Sequence, residues 1–238
     1  MRMRHKKHGA ERIEACAELL IPTPAAPSHI PGEEVEIPAE NGIRADEIFE
    51  KKQPLFLEIG CGKGGFAIRT ALAHPEWNII AMERVPDVCC IALERAMAVR
   101  HPEEGEADPA TLSNLRFLIG NAQNLPLWLP PHSVDGIFLN FSDPWPKKGY
   151  HKRRLTYRAF LEIYRGLLVP GGILRFKTDN DLLFASSLEE FAHCGLTVEW
   201  MTDDLHHSER AETNIMTEYE ENFASIGKNI HAADVRFS

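Results

Sequence analysis

Hydrophobic and polar positions follow two alternating patterns along most of the chain after Pro54. Short, almost wholly apolar runs recur, and the stretches between them place apolar residues every three or four positions. Such runs are typical of buried parallel strands, and the longer spacing is typical of helices that cover a sheet. The predicted strands are LFLEIG (55–60), NIIAME (78–83), LRFLIG (115–120), VDGIFLNF (134–141), GGILRFKT (171–178) and LTVEWM (196–201). The alternation predicts an α/β fold with right-handed crossovers.

Three stretches between the strands have helical spacing. They are GFAIRTALAHP (65–75), DVCCIALERAMAVR (87–100) and RLTYRAFLEIYRGLLVPGG (154–172). The third predicts a helix that is stopped by Pro170 and the glycines after it. Its inward-facing residues are predicted to be Leu155, Phe160, Ile163, Leu167 and Leu168.

The first 50 residues lack this periodicity. Their prolines, concentrated in IPTPAAPSHIPGEEVEIPAENG (21–42), oppose both helix interiors and sheet ladders. We therefore predict an irregular, partly basic N-terminal extension at 1–50 and one α/β domain at 51–238. Within that domain, HPEEGEADPATLSN (101–114) has the composition of a solvated loop.

Composition and charge narrow the possible functions. The chain has 238 residues, of which 44% are hydrophobic, and a net charge of −9. An acidic surface repels phosphate, so any contact with nucleic acid must be local. The five cysteines show no CxxC spacing, and there is neither an apolar leader segment nor a run of apolar residues long enough to span a membrane. We expect a soluble, cytoplasmic protein with reduced thiols.

A glycine-rich turn lies between the first predicted strand and helix. LEIGCGKGGF (57–66) contains Gly60 and Gly62, and Glu83 ends the next strand. Glycines here allow a ligand to approach the backbone closely, and an acid at the second strand suits a ribose diol. This pattern is common to dinucleotide and S-adenosylmethionine sites, but Glu58 favours the cationic ligand because an extra carboxylate would repel a pyrophosphate. The alternative is a purely structural turn with Glu58 in solvent.

Asn121 follows the third predicted strand in GNAQNLPLW (120–128). Its amide could hydrogen-bond an adenine amine while Leu125 and Leu127 flank the ring. The alternative is an ordinary turn asparagine.

The fourth predicted strand ends in FSDPWPKK (141–148), an acid between aromatic residues and prolines. In an open α/β sheet, ligands bind beyond the carboxyl ends of the strands, so Asp143 is at a candidate reacting position. Trp145 offers a flat wall for a planar base. A basic run follows, which we interpret as a local phosphate clamp made by Lys147, Lys148, Lys152, Arg153, Arg154 and Arg158. The alternatives are a proline-rich loop with a capping aspartate and a solvated charged face.

Two further polar motifs follow the fifth and sixth strands. In FKTDN (176–180), Lys177 could be solvated at the sheet edge and Asp179 could cap the next helix. TEYE (217–220) could be a polar edge before a last antiparallel strand. Contact with substrate is the other interpretation of both. His206 and His207 lie beside two aspartates without a complete ligand set, so we predict no metal site.

The chain resembles the bacterial tRNA (guanine-N7-)-methyltransferase family in five motifs that run in order from about Leu55 to Lys228. These are LEIGCGKGGF, FSDPWPKK, HKRRLTYRAFL, FKTDN and TEYE, and the start MRMRHKKHG also fits the family. The resemblance implies a Rossmann-like class I methyltransferase fold with a seven-stranded, mostly parallel sheet, one antiparallel strand and helices on both faces. It implies that residues 51–238 use S-adenosylmethionine to methylate N7 of the variable-loop guanine at position 46 of tRNA. It leaves open whether the protein is a monomer or a homodimer.

The resemblance also implies roles for individual residues. Asp143 is the expected catalytic residue. The expected cofactor-binding residues, which include the two turn glycines, are Glu58, Gly60, Gly62, Glu83, Asn121 and Asp143. The expected substrate-binding residues are Lys147, Asp179, Thr217, Glu218, Tyr219 and Glu220. The expected RNA-contacting residues, from the basic run, are Lys148, Lys152, Arg153 and Arg154. The chain departs from the family pattern at Asn121, where many members have an acid, and at Gly149 and Tyr150, which interrupt a run that is often more basic.

Three rival functions remain open on the sequence. An exocyclic-amine methyltransferase would also have an acid or amide before a proline and an aromatic residue after the fourth strand. A nicotinamide-dependent oxidoreductase would share the glycine turn and Glu83. An RNA-binding module with this fold would bind tRNA in a salt-sensitive way without methyl transfer.

Overall fold

The computed structural model describes residues 8–23, 42–103, 108 and 110–237. The basic start, most of the proline-rich stretch and the centre of the acidic loop lie outside these residues. None of the helices in the described ranges has the length and apolar character needed to cross a membrane.

Seven strands form one sheet in the order β3-β2-β1-β4-β5-β7-β6. β7 alone runs against its neighbours, β5 and β6. All six strands predicted in detail are confirmed, as is the mostly parallel sheet with one antiparallel strand. The strands are β1 (Leu55–Ile59), β2 (Asn78–Glu83), β3 (Leu115–Ile119), β4 (Val134–Asn140), β5 (Leu168–Thr178), β6 (Thr197–Thr202) and β7 (His231–Arg236).

Helices cover both faces of the sheet, because the strands present apolar side chains alternately to the two sides. On one face, α5, α6 and α7 pack on residues such as Leu57 and Leu139. On the other, α3 and α4 pack on Ile79 and Ala81. The helices in the described ranges are α1 (Gly9–Glu14), α2 (Ala45–Ile48), α3 (Gly65–Ala73), α4 (Pro86–Arg100), α5 (Leu125–Trp128), α6 (Arg158–Leu167), α7 (Asp181–His193) and α8 (Glu218–Ser225).

The prediction of one helix from residue 154 to the stop at Pro170 is wrong at both ends. α6 begins at Arg158, after Arg154 and Tyr157 adopt extended backbone angles. At the other end Leu168 is already extended and opens β5, which continues through Pro170. The five apolar residues do pack against the core, with Leu155 and Ile163 partly buried. The periodicity therefore indicated burial correctly, although Leu155 and Leu168 lie outside the helix.

The described part of the N-terminal extension packs on the domain. Arg12 of α1 donates two hydrogen bonds of 2.6 Å to the Glu94 carboxylate of α4. Leu19 is completely buried, and the Ile21 N–H donates to the Phe117 carbonyl of β3 at 2.8 Å. These contacts cover the β3 edge of the sheet. The domain boundary at residue 51 stays a prediction.

Candidate active site

A cavity of about 580 Å³ opens at the carboxyl ends of β1 to β4. The parallel arrangement brings these four strand ends together, although they are far apart in sequence. The cavity lining includes the predicted residues Gly60, Glu83, Asn121, Asp143, Lys152 and Arg153. A different cavity, of about 500 Å³, lies over the α3 side of the sheet, and its lining includes Lys177 of FKTDN.

The glycine turn leaves its backbone open to this cavity. Gly60 and Gly62 have φ values of 84° and 57°, in the left-handed region that favours glycine. A Cβ atom on either residue would meet no atom within 4 Å, so the space above the turn is free for a ligand. Gly64 has a packing role, since a Cβ there would come within 2.8 Å of the Ala92 Cβ.

The Glu83 carboxylate is held in one orientation by the backbone. Gly62 N–H donates to Oε2 at 3.1 Å, and Val85 N–H donates to Oε1 at 2.9 Å. A carboxylate can accept about four hydrogen bonds, so acceptor capacity remains for a ligand. The side chain lines the cavity and is only partly exposed. It is therefore a preorganised acceptor of the kind that a ribose diol requires.

Glu58 lies beneath the turn and does not line the cavity. It is 2% exposed, so the alternative of a solvated carboxylate is wrong. Asn140 Nδ2 donates to its Oε1 at 3.1 Å, while Oε2 has no hydrogen-bond partner within the described residues. Burial raises the pKa of Glu58 to about 7, against the opposing effects of Asn140 and Lys177.

Asn121 lines the cavity but is also a local cap. Its Oδ1 accepts from Gln123 N–H at 3.1 Å, and its Nδ2 donates to the Gln123 side chain at 3.2 Å. The expectation that Leu125 flanks a ring is wrong, because Leu125 is completely buried in the core. Val85 and Ala122 supply apolar lining instead.

The loop after β4 carries Asp143 in an unusual backbone conformation. Phe141 and Trp145 have φ values of 51° and 41°, which are uncommon for bulky residues and carry a conformational cost. The Asp143 side chain makes no hydrogen bond to any other described residue. Trp145 lines the cavity beside it. The loop thus presents a carboxylate and an indole ring to the same space.

Arg154 braces this loop from below. Its Nε donates to the Pro144 carbonyl at 2.8 Å, and a terminal nitrogen donates to Ser186 Oγ at 2.7 Å. Another terminal nitrogen lies 3.4 Å from the Trp145 carbonyl oxygen. These contacts occupy the guanidinium within the protein, whereas the sequence suggested an RNA contact.

Some of the other basic side chains in this run contact groups of the protein, and others form no ion pair within the described residues. Arg158 pairs with Glu190 at 2.9 Å, which takes it out of any phosphate clamp. Arg153 is exposed and stacks on aromatic rings. Lys147, Lys148 and Lys152 are exposed and form no ion pair with the part of the chain that is described.

The TEYE segment begins α8 with a capping box. Thr217 accepts from Glu220 N–H at 3.0 Å, and the Glu220 carboxylate accepts from Thr217 N–H at 3.3 Å. Glu220 is completely buried and bonds Lys177 Nζ at 2.8 Å and His206 Nε2 at 2.9 Å, with a further contact from Asn214. Burial opposes its ionisation, but these partners, led by Lys177, outweigh burial and lower the pKa of Glu220.

This network changes the interpretation of FKTDN and TEYE. Lys177 is 9% exposed and is a buried ion-pair partner, so it is not solvated at the sheet edge. Asn180, not Asp179, caps α7 by accepting from Leu183 N–H at 2.8 Å. The Asp179 side chain has no hydrogen-bond partner in the described residues.

None of the six predicted substrate residues lines the cavity. Tyr219 is 63% exposed, and its ring centroid lies 6.1 Å from that of Phe141, which lines the cavity. Glu218 turns toward α4 and pairs with Arg95. The residues outside the lining are Lys147, Asp179, Thr217, Glu218, Tyr219 and Glu220.

Sequence reasoning did not single out Phe141, Ser142 or Asn140. Phe141 and Ser142 line the cavity, and Ser142 Oγ is buried without a partner among the described residues. Asn140 supports Glu58 from the neighbouring strand. Their position directly before Asp143 was the available signal, but an apolar strand end gives no indication of which side chains turn toward a ligand.

No group of three or more metal-ligating side chains occurs in the residues that the structure describes. His206 instead contacts Glu220, and His207 contacts Asp204 at 2.8 Å.

The fold and the site define the class of protein. The chain resembles a solved antibiotic-related methyltransferase with a TM-score of 0.59 and 16% identity, over 86% of this chain and 96% of that one. It also resembles the 16S rRNA methyltransferase KamB, with a TM-score of 0.58 and 16% identity over 87% and 97% of the two chains. These likenesses establish a Rossmann-like class I methyltransferase fold.

Sequence comparisons identify the family. The family model described as "Putative methyltransferase" matches residues 52–233. A tRNA (guanine-N(7)-)-methyltransferase from Geobacillus sp. (strain WCH70) is 40% identical over 237 residues, which are 100% of this chain and 96% of that protein. The protein of the same name from Limosilactobacillus fermentum (strain NBRC 3956 / LMG 18251) is 39% identical over 100% and 99%. The chain belongs to the tRNA (guanine-N7-)-methyltransferase family.

Proposed function

We propose that this enzyme transfers the methyl group of S-adenosylmethionine to N7 of the variable-loop guanine, position 46, of tRNA. The observation that carries the proposal is the grouping of Asp143 and Trp145 with the open glycine turn and Glu83 in one cavity. Lys152 lines that cavity, and Lys147 and Lys148 are exposed on the same segment, all three without an ion pair within the described residues, as an RNA substrate requires. The names of the full-length relatives agree with this substrate. Residues 51–238 form the methyltransferase domain, and the preceding residues are its extension.

The cavity residues fit S-adenosylmethionine. A volume of about 580 Å³ is in the usual range for cofactor sites, roughly 300–1,000 Å³. Gly60 and Gly62 leave space above the turn, and Glu83 presents a fixed carboxylate. Asn121 would meet the adenine, while Glu58 supports the turn from below. When bound, S-adenosylmethionine supplies a methyl group on a sulfonium sulfur.

Asp143 orients the guanine in this proposal. Guanine N7 has an in-plane lone pair and no proton, so no protein base is needed at the attacking atom. Alignment becomes the main requirement, and good positioning contributes up to about 7–11 kcal/mol to lowering a barrier. The Asp143 carboxylate accepts from guanine N1–H or N2–H, and it stabilises the positive charge that develops on the ring.

The remaining predicted residues hold the substrate around this centre. Asp179 and Tyr219 contact the guanosine, since the Asp179 side chain is unengaged and the Tyr219 ring lies near Phe141. Thr217, Glu218 and Glu220 act mainly by positioning α8, through its capping box and its buried contacts. Lys147, Lys148, Lys152 and Arg153 contact phosphates. All residues that are proposed to bind the cofactor and the substrate belong to a single chain.

A substitution in the RNA tests the proposed reaction. Two tRNA transcripts are compared, one with guanine and one with 7-deazaguanine at position 46. The second keeps every Watson–Crick group but has carbon in place of N7, so it should bind normally and accept no methyl group. Equal methylation of both transcripts would exclude N7 and favour an exocyclic amine.

Asp143 is tested by substitution with alanine and asparagine. We expect a fall in kcat of about 100-fold or more for Asp143→Ala, in the range for loss of one electrostatic contact to a transition state. Asp143→Asn keeps an acceptor but loses the charge, and it should be intermediate. The affinity for S-adenosylhomocysteine should change far less than kcat. Near-normal turnover of Asp143→Ala would remove Asp143 from the centre.

A further inference from the structure

A small aromatic surface lies beside the cavity. It consists of Trp145, Tyr150 and Arg153, and it is termed the Tyr150 platform below. The centroids of the two aromatic rings are 6.0 Å apart, with their planes at 69°. The Arg153 guanidinium carbon lies 5.1 Å from the Trp145 ring centroid and 4.6 Å from that of Tyr150. Cation–π contact at these distances holds the two rings in a fixed relation.

Tyr150 is exposed to a degree that core packing does not explain. Although the ring is large and apolar, 42% of the residue is exposed. Its hydroxyl makes no hydrogen bond to another described residue, and its N–H donates to the Lys147 carbonyl at 2.8 Å, which fixes the backbone. An aromatic ring that is supported on one side by a guanidinium offers its free surface to a planar ligand.

The residues around the platform are basic, which favours a ligand that carries phosphate. No acidic residue occurs in the sequence from Pro144 to Leu161. Lys147, Lys148 and Lys152 are exposed on the same short segment and are unpaired within the described ranges. Aromatic rings among free cations are the arrangement with which proteins bind unpaired bases on a nucleic-acid backbone.

We propose that the Tyr150 platform is a second base-binding site, which stacks an unpaired base adjacent to the target guanine of the RNA substrate. The assignment rests on the proposed function, because the target guanine occupies the neighbouring cavity. Trp145 lines that cavity whereas Tyr150 does not, so the two rings face consecutive parts of the strand. Stacking at Tyr150 keeps the next base out of the cavity and holds the strand open around the target.

The protein side of the test compares Tyr150→Ala with the matched variant Tyr150→Phe. The affinity for an unmodified tRNA transcript is measured by fluorescence anisotropy at one salt concentration. Loss of a stacking ring should weaken binding by about fivefold to a hundredfold, whereas Tyr150→Phe keeps the ring and should stay within about twofold of the wild type. Unchanged affinity for S-adenosylhomocysteine shows that each variant is folded. Wild-type affinity in Tyr150→Ala would overturn the assignment.

The RNA side of the test uses transcripts that lack a single base on either side of the target guanine. The wild-type protein should bind one of these transcripts more weakly than intact tRNA. The factor should equal the one by which Tyr150→Ala weakens binding to intact tRNA. Tyr150→Ala should not distinguish that transcript from intact tRNA, since the two changes remove the same contact. Full additivity of the two losses would show that Tyr150 contacts something else and would overturn the assignment.

Methyl transfer separates this assignment from the proposed function. If the wild type forms 7-methylguanosine but Tyr150→Ala binds tRNA normally, the platform is excluded and the proposed function stands. If the wild type forms no methylated product but the coupled loss of affinity is observed, the platform stands as an RNA-binding site and the proposed function fails.

Discussion

At the residue scale, Glu58 shows how burial changes the chemistry of a carboxyl group. Its side chain is held by one hydrogen bond from Asn140, and its other oxygen has no partner among the described residues. Burial raises its pKa from 4.5 to about 7. A raised carboxyl pKa means that the folded protein binds a proton more tightly than the unfolded chain between these pH values. Stability therefore falls as pH rises through this range.

Glu58→Gln tests this effect of pH. Glutamine keeps an oxygen that can accept from Asn140 but does not ionise. The variant and the wild type should have similar stability below about pH 4.5, and the variant should be more stable at pH 8 by on the order of 3 kcal/mol, at 1.36 kcal/mol per pKa unit. Urea unfolding at the two pH values measures the difference. An equal difference at both would contradict the raised pKa.

The Lys177–Glu220 ion pair is buried, and its contribution to stability can be tested by substitution. Lys177→Met would leave the completely buried Glu220 carboxylate without its main cation. We expect a loss of about 3–5 kcal/mol in the free energy of unfolding. The double variant Lys177→Met/Glu220→Gln should recover part of this loss, because the uncompensated charge is gone.

A surface pair provides the control for this experiment. Lys228 lies 3.5 Å from Asp181, whose side chain is 74% exposed. Lys228→Met should cost less than about 1 kcal/mol, as exposed pairs usually do. Equal losses for the buried and exposed lysines would show that the Lys177 pair does not stabilise α8.

At the scale of elements, the loop after β4 depends on a residue from a later segment. Arg154 reaches back to the Pro144 carbonyl and to Ser186 of α7, and it thereby joins the loop to the helix layer. Because Trp145 has a positive φ, the loop needs such contacts to keep its conformation.

Arg154→Lys should separate loop support from RNA binding. Lysine keeps the positive charge, but its ammonium group cannot reach both hydrogen-bond partners as the planar guanidinium does. We expect kcat for tRNA methylation to fall about tenfold or more, as misplaced reacting groups commonly cause, while the salt dependence of tRNA binding stays the same. A reduced salt dependence with normal kcat would instead indicate a direct phosphate contact.

The sequence predicted the central strands well, because the burial of a strand is visible in its residue types. All five residues of β1 are buried, and such a strand must be almost wholly apolar. The start of α6 was not predictable, because Leu155 has helical spacing while long-range contacts of Arg154 hold the preceding backbone extended. Leu168 fits either element, and only the β4 register determines that it opens β5.

Among the site residues, the sequence located the strand ends but not the side-chain directions. Gly60, Glu83 and Asp143 meet in the cavity because parallel strands end on one side of the sheet. Asp179 and Asn180 are both good helix caps, and a sequence pattern cannot decide which of them caps α7. The buried network around Glu220 joins residues about 40 positions apart, such as Lys177, and no local pattern reports it.

At the scale of the whole molecule, an acidic protein carries a basic segment whose three lysines, Lys147, Lys148 and Lys152, form no ion pair within the described residues. The net charge is −9, yet no acid interrupts the sequence from Pro144 to Leu161. Local positive charge on an acidic surface attracts RNA in one orientation and discourages binding elsewhere. Affinity for tRNA should therefore depend on few phosphate contacts.

The salt dependence of tRNA binding tests this arrangement. Lys148→Ala should weaken tRNA binding. It should also make the plot of log affinity against log salt concentration less steep, by about the amount that corresponds to one phosphate contact. Lys52→Ala is the control, because Lys52 is exposed and precedes β1 at the opposite end of the sheet. Equal slope changes in the two variants would contradict a localised phosphate contact.

The most direct measurement is product identification. The purified protein is incubated with unmodified tRNA and S-adenosylmethionine labelled in the methyl group, and the RNA is then digested to nucleosides. We predict labelled 7-methylguanosine from position 46 and no other labelled nucleoside. A labelled methyladenosine, or tRNA binding without any label, would contradict methyl transfer to guanine N7.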